Sequence, residues 1–145
     1  AIPEDEIASW LSQGFIDSIR EYKKVEDIYC KTAIAVLPTS YNEGLPTIAM
    51  EAQALGIPVL LSDLPQNRLA LIEGETGHLI SAAKPEIFAE KIISLLNDKG
   101  RYAEMAKNCR AYAVRNFDQK TIDTKIMDFV LPPSANASEN PTGHS

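Results

Sequence analysis

A chain of 145 residues that is 45% hydrophobic and 23% charged has the makeup of one globular domain, with enough material to bury a core. Its formal net charge of −6 argues against non-specific binding to nucleic acid or to anionic membranes. No apolar run approaches the roughly 20 residues that span a bilayer, so no transmembrane segment is expected.

Taken in order, Pro3-Glu4-Asp5-Glu6 is an acidic helix start with Ile7, Trp10 and Leu11 on one apolar face, ended by Gly14. Residues 15–19 are a strand candidate broken by Asp17 and Ser18, and 24–31 read as a short helix. The apolar run 33–37, stopped by Pro38, predicts a buried strand near 34–37. A polar turn follows, in which Gly44 permits a tight backbone path and Pro46 suits a first helical turn. Residues 45–55 are rich in helix formers and Gly56 stands where a C-terminal cap is expected. The next predicted strand, 59–61, ends in the polar pair Ser62-Asp63.

After it, Pro65 opens a helix through Ile72, 73–77 are a turn, and 78–80 form a third strand parallel to the others. Three helices close the chain. The first has its apolar stripe at Ile87, Phe88, Ile92, Leu95 and Leu96. The second carries Tyr102, Met105, Ala106, Cys109 and Ala113, so Cys109 is expected to pack rather than react. The third uses Ile122, Ile126, Phe129 and Val130, with Asp118 as its N-cap. Residues 131–145 are too polar and proline-rich to pack and read as a disordered tail. With only Cys30 and Cys109 there is no disulfide framework, and a reducing cytoplasm is the simplest compartment. The chain begins with Ala1 rather than Met, so it reads as a fragment or a processed product.

Strand, turn, helix, strand is a βαβ unit, and ligands of such parallel sheets bind beyond the carboxyl ends of the strands. The turn 39–44 lies there and feeds a helix N-terminus, whose free N–H groups and dipole attract anions such as phosphate. Two carboxylates flank it, Glu43 before the helix and Glu51 inside it, with Thr47 on the face of Glu51. If both were helical, their eight-residue spacing would set them roughly 12 Å apart along the axis. That suits a grip on two ends of one ligand better than acid–base work on one bond. A surface role for both, Glu43 near the helix dipole and Glu51 in solvent, satisfies the local pattern equally.

The run Val-Leu-Pro-Thr-Ser-Tyr-Asn-Glu-Gly-Leu-Pro, followed by Glu51-Ala, Gly56-x-Pro-Val and Ser62-Asp63, resembles the signature of family-4-type (group 1) retaining glycosyltransferases. Asn67-Arg68, Ile72-x-Gly74-x-Thr76-Gly77-His78-Leu79-Ile80 and Asn116-Phe117-Asp118 extend the resemblance over most of 7–130. It implies an α/β fold: part of the carboxy-terminal donor lobe of the two-lobed B-type glycosyltransferase (GT-B) fold, a Rossmann-like parallel sheet with flanking helices, over residues 1–130. That sheet is incomplete, the opening βα units being absent.

The resemblance also implies a nucleoside-diphosphate sugar as donor, with no cofactor and no metal. By position, Glu43 would be the catalytic residue at the donor sugar. Gly44, Leu45, Pro46 and Thr47 would line the diphosphate, where Pro46 has no N–H to give, and Glu51 would take the ribose hydroxyls. The acceptor, a lipid-linked or polysaccharide precursor, would be held by a missing amino-terminal lobe, in the cytoplasm or at the inner face of the membrane. This fragment alone would be inactive.

Three positions depart from the family pattern. Asn42 stands where a basic residue is frequent, Ala33 where Asp is usual, and no glycine stands near Arg20. Arg68 is the one basic residue near the predicted strand ends, and a surface or structural role ranks ahead of a phosphate contact for it. Of the other classes, a glycoside hydrolase needs its carboxylates about 5–10 Å apart, and a nicotinamide-binding domain needs a Gly-x-Gly-x-x-Gly that is absent. A non-catalytic, truncated interaction module remains the alternative.

Overall fold

A computed structural model describes residues 3–16, 26–41 and 44–118, in two compact units, Ala1–Thr32 and Ala33–Ser145. The first unit holds helix α1 (Glu4–Ser12), with Glu4, Asp5 and Glu6 in its first turn, and the short α2 (Glu26–Tyr29). The strand candidate at 15–19 falls largely outside the described residues, and Phe15 and Ile16 are not in a strand. The third closing helix and the tail at 131–145 also lie outside them.

The second unit is a parallel sheet of β1 (Ala35–Leu37), β2 (Val59–Ser62) and β3 (Gly77–Ile80), in the order β1-β2-β3. Ala35 pairs with Val59 and Leu37 with Leu61, while Val59 pairs with Gly77 and Ser62 with Ile80. Helices α3 (Thr47–Ala54), α4 (Pro85–Asn97) and α5 (Lys99–Phe117) flank it. This is the Rossmann-like arrangement of a partial domain. All four residues of β2 are buried, which requires cover on both faces of the sheet. Leu60 packs with Ile80 and with Phe88 of α4, and Val59 and Leu61, alternating with it, point the other way. Leu95, Met105 and the buried Cys109 form a second cluster with Ile34 and Tyr102. Burial pushes the Cys109 thiol up to about 12 and its Sγ donates to the Thr76 carbonyl, so it packs as a small hydrophobe; Cys30 is exposed and unbridged.

Local signals explain most boundaries. Gly56 lies in the left-handed region at φ 75°, donating to the Gln53 carbonyl, while Ile57 N–H donates to the Ala52 carbonyl. These paired bonds are a Schellman cap, and they end α3 where the glycine predicts. The expected helix after Pro65 is a correction. Only a 3₁₀ turn, Asn67–Leu69, forms there. Its residues are committed to loop closure instead: Asn67 is buried and its Nδ2 donates to the Ser62 carbonyl at 2.8 Å.

Candidate functional site

The carboxyl ends of β1, β2 and β3 open onto residues 38–46, Asp63-Leu64 and Ser81-Ala82-Ala83. A cleft of about 520 Å³ lies over them, lined by Ser40, Ser62, Asp63, Leu64, Ser81, Ala82 and Ala83. A second cleft of about 420 Å³, lined by Gly74, Glu75, Arg101, Glu104, Met105 and Asn108, opens before the start of β3. It lies at the opposite ends of the strands from those where parallel sheets take their ligands.

Beside the first cleft, the loop leaving β1 leads into α3. Pro46 is extended at φ −70°, ψ 113°, and α3 starts at Thr47, so Pro46 stands just ahead of the helix rather than in its first turn. No side chain among the described residues caps it. Ala49 and Met50 donate to the Pro46 carbonyl, while the N–H groups of Thr47 and Ile48 have no backbone acceptor among the described residues. These are the free donors that make a helix N-terminus attractive to an anion. The inner face of α3 is Ala49, Ala52 and Gln53, all buried. Thr47 and Glu51 are exposed, about 6 Å apart along the axis by their four-residue spacing. Leu45 and Ile48 are exposed as well.

Asn42 and Glu43 lie outside the described residues. The spacing estimate for the two carboxylates is nonetheless corrected. It assumed one helix through both, and residues 44–46 are not helical. A Cβ built on Gly44 would meet nothing within 4 Å among the described residues. Packing among the described residues therefore does not account for a glycine there.

Asp63, which lines the cleft, is held by Arg68, which donates to both its carboxylate oxygens, Nε to Oδ1 at 2.8 Å and Nη2 to Oδ2 at 3.2 Å. The guanidinium is occupied locally, in keeping with a structural role. Its hydrogen bonds, with its charge behind them, hold the Asp63 carboxyl below its ordinary 3.8. A carboxyl depressed in the native state favours folding above the unfolded value, and that contribution is lost as pH falls through the native one. In Arg68→Gln the Asp63 carboxyl is expected to titrate nearer 3.8, read by carbon NMR. An unchanged midpoint would show that the pair does not form in solution.

Ser40 belongs to the turn 39–44 that the sequence placed beyond a strand end, whereas Ser81, Ala82 and Ala83 were not singled out and enter only through the sheet's register. The signal available was their place one to three residues beyond a strand end. No three His, Cys, Asp or Glu side chains among the described residues gather as a metal site. No described helix is long and apolar enough to cross a membrane.

Residues 12–114 match the family model described as glycosyl transferases group 1. A D-inositol 3-phosphate glycosyltransferase of Corynebacterium efficiens is 33% identical over 112 residues, which cover 77% of this chain and 26% of that protein. A phosphatidyl-myo-inositol mannosyltransferase of Mycobacterium leprae is 35% identical over 102 residues, 70% of this chain and 25% of that protein. The chain spans about a quarter of the length of the curated relatives it matches. Among solved structures, Anabaena HepE in complex with UDP superposes with a TM-score of 0.70 at 20% identity, over 75% of this chain and 30% of that one. The C-terminal domain of the group 1 protein LpcC of Francisella tularensis gives 0.62 at 21%, over 77% of this chain and 60% of that one. Those two likenesses carry the fold alone.

Proposed function

The chain belongs to the group 1 glycosyl transferases, and from that premise we propose that it is the donor-binding part of a retaining GT-B enzyme. That enzyme transfers a sugar from a nucleoside-diphosphate sugar to an acceptor. The observation that carries the reading is the N-terminus of α3, which no described side chain caps, at the carboxyl end of a parallel sheet and beside a cleft. Backbone N–H groups of Gly44, Leu45, Thr47 and Ile48 hold the diphosphate, and Glu51 accepts hydrogen bonds from the ribose hydroxyls. Glu43 contacts the hydroxyls of the sugar being moved. As the bond between the anomeric carbon and the phosphate oxygen breaks, negative charge grows on the leaving diphosphate. The α3 N-terminus stabilises it there, and no metal enters the step.

HepE has been solved with UDP and with UDP-glucose, which makes these the first probes for this protein. The acceptor is a lipid-linked or polysaccharide precursor held by an amino-terminal lobe. The names of the relatives add an inositol phosphate, free or lipid-borne, to the candidates. The setting is cytoplasmic, with peripheral attachment to the inner membrane face where the acceptor is lipid-linked. The second reading is a non-catalytic interaction module, a truncated donor lobe that binds weakly or only in complex with another chain.

Calorimetric titration of the full-length protein with UDP, GDP and ADP separates them. Glu51→Ala is expected to weaken the preferred diphosphate roughly ten- to hundredfold, the worth of a lost hydrogen bond to a charged group. Equal affinity in wild type and Glu51→Ala, or no diphosphate bound by wild type, would contradict the reading.

A further inference from the structure

Helix α3 packs through a smooth inner face. Two of its buried residues, Ala49 and Ala52, are alanines, and the third, Gln53, is completely buried. Alanines offer no ridge that would fix the height of a helix along its own axis. The C-terminal end of α3 is set by α5: a Cβ on Gly56 would lie 3.2 Å from the Ala106 carbonyl oxygen, and Arg110 Nη1 donates to the Ala54 carbonyl. Toward the N-terminal end the tie is Gln53. Its side chain runs back one turn, where Nε2 donates to the Ala49 carbonyl at 3.0 Å and to the Ala70 carbonyl at 2.7 Å, 17 residues further on. Ala70 is itself fastened from the far side. Its N–H donates to the Asn67 carbonyl, the Tyr112 hydroxyl donates to the Leu69 carbonyl at 3.0 Å, and Asn67 Nδ2 reaches the Ser62 carbonyl at the end of β2. The same amide carries a cost, because Oε1 is buried with no partner among the described residues. An apolar side chain of the same length would avoid that cost, so stability alone is a weak reason for an amide here. What an apolar side chain cannot supply is a directional bond that sets the height of α3.

We propose that Gln53 is a positioning residue for the anion-binding end of α3. By tying the turn at Ala49 to the Ala70 carbonyl, it fixes where the free N–H groups of Thr47 and Ile48 stand relative to the carboxyl ends of the strands. This rests on the reading that those groups hold a diphosphate.

The test is calorimetric titration of the full-length protein with UDP, GDP and ADP, read on the one that wild type binds most tightly, beside urea unfolding. Gln53→Met keeps the length and removes the donor and the unpaired acceptor together. It is expected to weaken the diphosphate about two- to tenfold, the scale of one neutral hydrogen bond, with a urea midpoint close to that of wild type. Gln53→Glu adds a readout that packing alone would not move. Its carboxyl can donate to the Ala70 carbonyl only when protonated, a form that burial favours. Measured against wild type at the same pH, its affinity is therefore expected to match wild type in mildly acidic solution. Wild-type affinity in folded Gln53→Met, whatever its midpoint, would overturn the proposal, and so would a Gln53→Glu affinity that stays weak in acid. No diphosphate bound by wild type would instead overturn the functional reading, and with it the basis for Gln53.

Discussion

Gly77→Ala is expected to cost the fold at least about 3 kcal/mol, the upper range for overpacking and a large share of a small domain's stability. A Cβ at Gly77 would lie 2.0 Å from the Val59 carbonyl oxygen and 2.9 Å from Val59 Cγ2. Val59 is its register partner on the central strand and is completely buried. β2 is covered on both faces, so it has no room to retreat. The turn before Gly77 is equally committed: Ile72 N–H donates to Thr76 Oγ1 at 2.9 Å, and Glu73 is bridged to Gly77. Further along β3, Glu73 also accepts from His78 Nδ1 and from the Leu79 N–H. Urea unfolding of the variant reads the loss directly. A midpoint within error of wild type would mean that the strands are not packed as described.

The second large effect is on turnover. Glu43→Ala in the full-length protein is expected to cut sugar transfer at least ten- to hundredfold while leaving nucleoside-diphosphate affinity within about twofold. A charged hydrogen bond to the moving sugar is worth about 1.5–3 kcal/mol, and one strengthened in the transition state appears in kcat. Free diphosphate carries no sugar and so has nothing for Glu43 to hold. Equal losses of affinity and rate would place Glu43 on the nucleotide instead. A full rate would remove it from the site.

The fold was legible where the pattern is local. The apolar runs stopped by Pro38 and by Ser62-Asp63 marked β1 and β2, and Gly56 marked the end of α3 within one residue. The failure at 65–72 is of another kind. Helix propensity was overruled there by bonds back to the end of β2, Asn67 to the Ser62 carbonyl and Arg68 to Asp63, each five residues away, which periodicity does not encode.

The two glycines of the signature also part company. Gly77 is required by the sheet itself. At Gly44 a Cβ would meet no described atom, so the described packing does not require a glycine there. The resemblance pointed to both without distinguishing them, because a motif records that a glycine is present and not what crowds it.

The central claim is that the α3 N-terminus receives a diphosphate. Amide spectra of the nitrogen-15-labelled full-length protein, titrated with UDP and, as a control, with uridine, test it most directly. The account predicts saturable shifts at Gly44, Leu45, Thr47 and Ile48 with UDP, and none there with uridine, which lacks the phosphates. Fixed signals at those four residues, with shifts instead around Gly74, Arg101 and Asn108, would contradict it.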